Sequence, residues 1–339
     1  MCRPWAGSVP LLVVAVRRKL GAAFRIGRPC HRHHDKLVIK GELKEQAVAE
    51  TIGWIGLGSI GHRMVRHLAE AGHPLVVADI ANTGSAPPGA RIATSNGEVA
   101  ASADIVILSL PNGRITETVA REIVAAKGRR ARIVVETSTI GIAAAEFAAR
   151  ILREADIELV DAPVSGGIAG AEKATLAVMV ACPEQSFARV QPLLALMGKP
   201  FHVGPRPGQG QAVKLLNNFL SATALAATSE AVAFGTAQGL PMQTILDVVN
   251  AATGRNTATD DKFPRRILTE RYDAGFTTTL QAKDVRLYLE NARAAGIADE
   301  IASVIDAVWS KMDADMPGAD ITRMYPYTKG GRGRKGRDS

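Results

Sequence analysis

Two polar side chains in an apolar, alanine-rich stretch are suited to proton transfer. Lys214 and Asn218 are four residues apart, so a helix would place both of them on one face. Lys214 stands among Val213, Leu215 and Leu216, where loss of solvent would lower the pKa of its ammonium group. A lysine of that kind can serve as a general acid or base. An ordinary surface lysine on an amphipathic helix is the alternative if this segment is considered alone.

The segment at 161–167 is suited to binding a small anion. Its last three residues are Ser165, Gly166 and Gly167. A hydroxyl followed by two glycines can direct several N–H donors at one anion, as backbone nests do. A substrate carboxylate is the expected guest, and a plain turn is the alternative.

A glycine-rich turn organises the first part of the chain. It follows an apolar run at 52–55, precedes a helix-like apolar pattern, and consists of Gly56, Leu57, Gly58, Ser59, Ile60 and Gly61. In a dinucleotide-binding unit the three glycines allow the tight turn, the approach of the pyrophosphate and close packing of helix on strand. The pyrophosphate then binds at the helix N-terminus. The turn therefore predicts a dinucleotide cofactor, with a merely structural turn as the alternative.

Asp79 ends a second apolar run, 18 residues beyond Gly61. A carboxylate in that place can accept hydrogen bonds from an adenosine ribose and would repel a 2′-phosphate. Ile80 and Ala81 follow it and supply no cation for such a phosphate. We therefore expect NAD to be favoured over NADP, and a turn aspartate is the alternative.

Two further pairs of residues end predicted strands. Leu110 and Pro111 end one strand, and Ser138 and Thr139 end the next. In an open α/β sheet, ligands lie beyond the carboxyl ends of the strands, so both pairs are placed to touch a cofactor. Simple turn chemistry is the alternative for each pair.

The elements that must position these residues change in type along the chain. From residue 51 to about 204, eight predicted strands alternate with helical stretches, which indicates a parallel sheet with helices on both faces. From 211 to 238 runs a predicted helix of roughly 40 Å. Everything beyond it looks helical, including stretches at 264–271 and 280–295. The expected fold class is α/β, with an N-terminal dinucleotide-binding domain and a C-terminal all-α domain joined by the long helix.

The charge and composition of the chain indicate how it divides into domains. The 339 residues carry a net charge of +8, with 47% hydrophobic and 22% charged residues, and no apolar stretch approaches a membrane span. Residues 1–49 carry +7 and residues 329–339 carry +4, so the rest carries −3 and a basic nucleic-acid face is not indicated. The expected divisions are an extension, a cofactor domain, an all-α substrate and oligomerisation domain, and a disordered basic tail, at 1–49, 50–210, 211–316 and 317–339.

The N-terminal extension has three interpretations. It is rich in arginine and poor in acids, as a transit-like leader would be. It also fits a disordered basic tail, or a start codon assigned too far upstream. The three cysteines show no metal-ligand spacing, so no metal is expected and a reducing, cytoplasmic compartment is inferred.

Taken together, the motifs resemble those of the β-hydroxyacid dehydrogenase family, which includes 3-hydroxyisobutyrate dehydrogenase, tartronate semialdehyde reductase and glyoxylate/succinic semialdehyde reductases. The resemblance covers residues 51–315 and includes the glycine turn, Leu110-Pro111, the DAPVSGG segment, the helix with Lys214 and Asn218, and Lys283-Asp284. It implies a Rossmann domain, a helical domain that supports dimers or tetramers, and hydride transfer between a nicotinamide cofactor and a 3-hydroxyacid or its aldehyde.

The resemblance also implies roles for individual residues. Lys214 would be the general acid/base, and Asn218 would position both the lysine and the substrate oxygen. The catalytic Ser165, with Gly166 and Gly167, would hold the substrate carboxylate. Lys283, from the helical domain, would close over the cofactor and substrate. Leu110, Pro111 and Thr139 would contact the cofactor. Departures from the family pattern, such as Ile60 in place of methionine, remove no group that does chemistry.

Two rival functions follow from the same residues. An imine reductase shares this architecture, but those enzymes generally do not keep the lysine. A non-catalytic relative could use the basic tails to hold nucleic acid, and retention of Lys214 and Asn218 argues against it. We therefore expect an enzyme with a small carboxylate substrate and no membrane or nucleic-acid partner. The residues that line the substrate's side-chain pocket cannot be placed from the sequence.

Overall fold

The structure, a computed structural model, describes residues 50–330. The interpretations of residues 1–49 and of the basic residues from 331 onward lie outside the described residues. Within residues 50–330, no helix has the length and apolar character needed to cross a bilayer.

A nine-stranded sheet forms the first part. Its strands are β1 (Ile52–Ile55), β2 (Leu75–Ala78), β3 (Arg91–Ile92), β4 (Ile105–Leu108), β5 (Ile133–Glu136), β6 (Glu158–Asp161), β7 (Val164–Ser165), β8 (Leu176–Ala181) and β9 (Gly198–Gly204). The order is β3-β2-β1-β4-β5-β6-β8-β7, with β9 also paired to β8. The first six strands are parallel, and β8 runs antiparallel to β6. The parallel order is that of a dinucleotide-binding fold, with its switch point between β1 and β4.

Helices cover both faces of this sheet. They are α1 (Gly61–Glu70), α2 (Asn96–Ser102), α3 (Gly113–Ala125), α4 (Ile142–Arg153), α5 (Gly167–Glu172) and α6 (Glu184–Ala195). Strands β1 and β4 are wholly buried, so alternate side chains enter two separate cores. Trp54 packs with Met64 and Leu68 on one face, whereas Ile55 packs with Leu152 on the other.

The second part is helical. Its main helices are α7 (Gln209–Ala237), α8 (Met242–Ala251), α9 (Thr278–Ala294), α10 (Glu300–Asp315) and α11 (Met324–Lys329). The 29 residues of α7 span about 44 Å. A core containing Phe263, Trp309 and Tyr325 joins these helices. The predicted fold class is therefore confirmed: an α/β sheet domain followed by helices, with a long helix between them.

The prediction of a helix at 264–271 is wrong in both the type and the position of the helix. The structure has a π-helical segment at Ala258–Ile267, with Pro264 inside it. The segment begins early because the Asn256 side chain accepts hydrogen bonds from the Ala258 and Thr259 amides. Proline lacks an N–H and crowds the preceding turn of an α-helix, so the wider winding accommodates it.

The disordered tail expected from residue 317 is also corrected. A 3₁₀ turn, Ile321–Arg323, leads into α11, and Ile321, Met324 and Tyr325 are buried in the helical core. Their spacing of three and four residues is that of a helix face, which the glycine- and arginine-rich composition beyond 330 obscured. Asp320 caps the turn by accepting a hydrogen bond from the Thr322 amide.

Candidate active site

At two positions of the glycine turn between β1 and α1, neighbouring backbone atoms leave no room for a side chain. Gly56 has φ +101°, and a Cβ there would lie 2.1 Å from the carbonyl oxygen of Ser109. A Cβ on Gly61 would lie 2.2 Å from the carbonyl oxygen of Gly56. Gly58 differs, because its Cβ would meet no atom within 4 Å. The open side of Gly58 is therefore the side from which a ligand can approach the backbone.

The start of α1 presents free donors beside that open side. The amides of Gly58, Ser59, Ile60 and Gly61 donate to no acceptor among residues 50–330. Free N–H groups and the positive end of the helix dipole favour an anion. The residues present therefore fit the pyrophosphate of a dinucleotide.

Asp79 is tied to the same turn. Its Oδ2 accepts a hydrogen bond from the Leu57 amide at 2.6 Å, and its Oδ1 accepts from the Ala81 and Asn82 amides at 2.7 Å. Burial acts to raise the pKa of Asp79, but these amide donors outweigh it and lower the pKa below the usual range. The carboxylate is thus held ionised at the end of β2. It also fixes the glycine turn, a role that the sequence did not indicate.

The two pairs at the strand ends lie next to each other, a contact that the sequence did not predict. The amide of Leu110 donates to Oγ of Ser138 at 2.6 Å, and Pro111 beside it is exposed. The carbonyl oxygen of Thr139 accepts a hydrogen bond from Nζ of Lys283 at 2.7 Å. Lys283 therefore reaches from α9 in the helical part to the carboxyl edge of the sheet.

A buried network of acids and amides joins that edge to the start of α7. Gln211 accepts hydrogen bonds from the Ile140 and Gly141 amides and donates to Oδ1 of Asp161 at 2.9 Å. Asp161 also accepts from the Gly208 amide at 2.8 Å. Sequence reasoning missed Gln211, although its place in the first turn of the long helix was a usable signal.

Both acids below this edge are shielded from water. Desolvation raises the pKa of Glu136 to about 7, although hydrogen bonds from Ser138 and Thr116 oppose the shift. Desolvation likewise raises the pKa of Asp161 to about 6, against hydrogen bonds from Gln211 and neighbouring amides. Oε2 of Glu136 accepts from the Thr116 hydroxyl at 2.7 Å. These acids hold backbone in place and face no open site.

Lys214 lies on α7 and is only 7% exposed. Desolvation lowers its pKa to about 8; Asp284 opposes this shift and the nearby Lys283 adds to it. No hydrogen bond to its ammonium group occurs in the part of the chain that the structure describes. A buried ammonium poised near neutral pH is suited to proton transfer.

Asn218 stands one turn from Lys214 and is held by a residue from α9. Its Nδ2 donates to Oδ2 of Asp284 at 2.6 Å, and Asp284 is 2% exposed. Its Oδ1 accepts a hydrogen bond from Asn217 at 3.1 Å, so both ends of the amide are fixed. Sequence reasoning named Asp284 only as part of a motif and gave it no role.

The segment with Ser165, Gly166 and Gly167 contacts α7 as well. Nδ2 of Asn217 donates to Oγ of Ser165 at 3.2 Å. Gly166 and Gly167 have φ of +134° and +63° and are exposed, so their backbone takes a shape that favours glycine. The structure thus brings Ser165 and its two glycines next to the helix face that carries Lys214 and Asn218.

The site contains no candidate metal centre. Nowhere within residues 50–330 do three or more His, Cys, Asp or Glu side chains cluster as metal ligands would. Its components are a helix start with free amides, two exposed glycines beside Ser165, a desolvated lysine and a fixed amide. This set fits a class of protein: enzymes that bind a dinucleotide and move a proton at a small carboxylate substrate.

Family models match both parts of the chain. The model described as the NAD binding domain of 6-phosphogluconate dehydrogenase matches residues 51–204. The model described as the NAD-binding of NADP-dependent 3-hydroxyisobutyrate dehydrogenase matches residues 208–328. The boundary between the two falls at the start of α7.

Known proteins resemble the chain over nearly their whole length. It is 33% identical to the 2-(hydroxymethyl)glutarate dehydrogenase of Eubacterium barkeri, over 77% of this chain and 95% of that one. A solved structure of Mycobacterium tuberculosis 3-hydroxyisobutyrate dehydrogenase with L-serine has a TM-score of 0.77 and 32% identity, covering 83% and 99%. The chain belongs to the β-hydroxyacid dehydrogenase family and is an NAD(P)-dependent dehydrogenase that acts on a CH–OH group.

Imine reductases share the fold alone. The enzyme of Streptomyces aurantiacus is 19% identical, with a TM-score of 0.54, covering 83% of this chain and 100% of that one. The dehydrogenase interpretation is therefore the better supported of the two. The predicted family resemblance is confirmed.

Proposed function

We propose that this enzyme transfers hydride between NAD(H) and a small 3-hydroxyacid or its semialdehyde, with Lys214 as the general acid/base. The observation that carries the proposal is the buried ammonium of Lys214. It is desolvated, has no hydrogen-bond partner within residues 50–330, and shares a helix face with a fixed amide. A structural lysine in such a place would be paired.

The chain's residues divide the work of the reaction. A bound nicotinamide supplies or accepts the hydride. Lys214 donates a proton from Nζ to the substrate oxygen during reduction and removes it during oxidation. Asn218, held by Asp284, orients that oxygen, while Ser165, Gly166 and Gly167 bind the carboxylate. Lys283 links the helical part to Thr139 and so closes the site over the sheet edge.

Preference for NAD over NADP rests on Asp79. Its carboxylate is ionised at the end of β2, and Ile80 and Ala81 add no positive charge there. A 2′-phosphate would meet repulsion at this position. The matched family model carries NADP in its description, so the preference is decided by measuring activity with both cofactors.

We also propose a homodimer or homotetramer in the cytoplasm. Large apolar side chains are exposed on the helical part, among them Leu220 on α7, Phe234 near its end and Val304 on α10. Such surfaces mark contacts between chains. The buried free thiol of Cys182 supports a reducing compartment.

A substrate panel tests the activity. Purified enzyme is assayed by NADH absorbance with small 3-hydroxyacids in one direction and short aldehyde-acids in the other. We expect turnover of at least one pair with NAD(H), lowered by about 10² to 10⁴-fold in Lys214→Ala. Activity only on imines, or none on any member of the panel, would overturn the proposal.

A further inference from the structure

A second lysine approaches the same face of α7. Lys262 belongs to the π-helical segment, and its Nζ lies 3.3 Å from Oγ of Ser221. Burial lowers the pKa of Lys262, with Asp261 opposing the shift. Asp261 itself pairs with Arg265 at 3.3 Å. The ammonium of Lys262 forms no ion pair with any carboxylate of residues 50–330.

This arrangement is unusual for a structural lysine. A partly buried ammonium has lost water, and one hydroxyl at 3.3 Å replaces little of that hydration. A lysine without a role would extend its flexible stem into solvent. The position of Nζ therefore indicates that an anion completes its surroundings.

The helix geometry relates Lys262 to the site. Lys214, Asn217, Asn218 and Ser221 follow one another at spacings of three, one and three residues, so they form a single polar stripe along α7. Ser165, in the carboxylate cradle, bonds to Asn217. Ser221 lies one further turn along, about 6 Å from the level of Asn217. Lys214 lies on the other side of Asn217, toward the N-terminus of α7.

Three groups of polar residues therefore lie along one face of α7: Ser165 bonded to Asn217, Lys214, and the pair Ser221 and Lys262. A 3-hydroxyacid has a matching shape when its second carbon carries a substituent. That carbon holds the carboxylate and the CH₂–OH group, and its third arm is free to extend toward Ser221.

We propose that Lys262 and Ser221 bind a second carboxylate at the end of that third arm, so that the preferred substrates are hydroxymethyl dicarboxylic acids and their semialdehydes. The distance of one helix turn suits an arm of two or three carbon atoms. This inference rests on the proposed function and adds the substrate class to it.

The test compares substrates that differ only in the third arm. 3-Hydroxyisobutyrate carries a methyl group there, and 2-(hydroxymethyl)succinate and 2-(hydroxymethyl)glutarate carry a carboxylate on one or two methylene groups. We expect kcat/KM of the parent enzyme to be at least tenfold higher for one of the diacids. Turnover of 3-hydroxyisobutyrate with no advantage for either diacid overturns the inference and leaves the proposed function standing.

Variants of Lys262 assign the effect to this side chain. We expect Lys262→Met to lose about tenfold to a hundredfold in kcat/KM for the favoured diacid, chiefly through KM, since bonds to charged groups are among the stronger ones. The value for 3-hydroxyisobutyrate should stay within about threefold. Lys262→Arg should retain the diacid preference because it keeps the charge.

A remote variant controls for general attraction of anions. Lys199 is exposed on β9, and Lys199→Met removes the same charge at a position outside the polar stripe of α7. We expect it to leave the diacid preference unchanged. Equal losses of kcat/KM for the monoacid and the diacid in Lys262→Met would show that Lys262 does not bind a second carboxylate. A loss of diacid preference in Lys199→Met as large as that in Lys262→Met would show the same. If Lys262→Met fails to fold, Lys262→Gln, which removes the charge and keeps a polar side chain, makes the same comparison.

Discussion

Two groups of buried charged side chains lie on either side of the junction between the sheet and α7, and their pairing differs. Glu136 and Asp161, below the sheet edge, accept hydrogen bonds from several backbone and side-chain donors. Lys214, on the helix, is also buried but makes no hydrogen bond to residues 50–330. Burial alone therefore does not separate a structural group from a candidate catalytic group. The distinction lies in whether the protein itself satisfies the buried group.

The same physical cause brings the pKa values of the acids and of the lysine close to neutral pH. Desolvation raises the pKa of Glu136 to about 7 and of Asp161 to about 6, and it lowers the pKa of Lys214 to about 8. Loss of water disfavours the charged form whatever its sign. The acids and the lysine should therefore respond to the same pH range, the acids through stability and the lysine through activity.

The largest effect should come from removing the unpaired group. We expect Lys214→Ala to lower turnover by about 10² to 10⁴-fold, the usual contribution of a general acid/base. NADH binding, measured by fluorescence, should change little because the glycine turn is elsewhere. Lys214→Arg should also fail in oxidation, since guanidinium stays protonated. Turnover of the alanine variant within a few-fold of the parent value would contradict the mechanism. Loss of NADH binding together with turnover would show that Lys214 is structural.

Removing a fully paired group should instead affect the fold. Asp161→Ala leaves the Gly208 amide and the Gln211 donors buried without their acceptor. We expect the free energy of unfolding to fall by about 3 kcal/mol or more, measured by denaturant titration. Asp247→Ala, which removes an exposed carboxylate, should stay within about 0.5 kcal/mol. Equal effects of the two substitutions would mean that the network contributes little.

The raised pKa of Glu136 predicts a pH dependence of stability. The group binds its proton up to about pH 7 when folded but only to about 4.5 when unfolded. The folded state therefore binds more protons between these values, and this contribution to stability is lost as pH rises through them, by up to about 3 kcal/mol. Glu136→Gln does not titrate, so its stability relative to the parent should increase from pH 5 to pH 8. Parallel stability curves for the two proteins would show that Glu136 does not titrate in this range.

Lys214 predicts the pH profile of catalysis. Oxidation needs the neutral amine, so kcat/KM should rise about tenfold per pH unit below pH 8 and level off above it. Reduction needs the ammonium, so its rate should fall above the same point. Initial rates from pH 6 to 10 in both directions check this. A profile in which both directions rise together would contradict a single acid/base group.

The smallest effect concerns the cofactor. Asp79→Asn removes the negative charge and keeps an oxygen for the Leu57 amide. We expect the ratio of kcat/KM for NAD over NADP to fall by about tenfold, because one charged hydrogen bond and one repulsion are lost. Initial rates with both cofactors provide the measurement. A parent enzyme that already uses NADP as well as NAD would refute the role of Asp79.

The sequence predicted the sheet well because its central strands are continuous apolar runs buried on both faces. The bounds of β1, β4 and β5 lie within two residues of the expected ones. β7 has two residues and α5 has six, too few to show a period, and both were missed. The π-helical segment and α11 were misjudged because proline and a nearby glycine-rich composition masked helical spacing.

The candidate site residues that lie in motifs were named from the sequence, but the contacts that hold them in place were not. Gln211 bonds to Ile140 across 71 positions, and Asn218 bonds to Asp284 across 66. Contacts of that range depend on the packing of α7 and α9 against the sheet, which no local pattern encodes. The same holds for Lys262, whose neighbour Ser221 is 41 positions away.

The placement of α11 has a consequence for the order in which the chain can fold during translation. Tyr325 completes a core that includes Leu225 on α7, so the two sides of that core are synthesised about 100 residues apart. At about 5 to 20 residues per second, α7 leaves the ribosome some 5 to 20 s before α11 exists. The sheet can close as each strand arrives beside its neighbour. The helical core stays incomplete until the residues around 325 emerge.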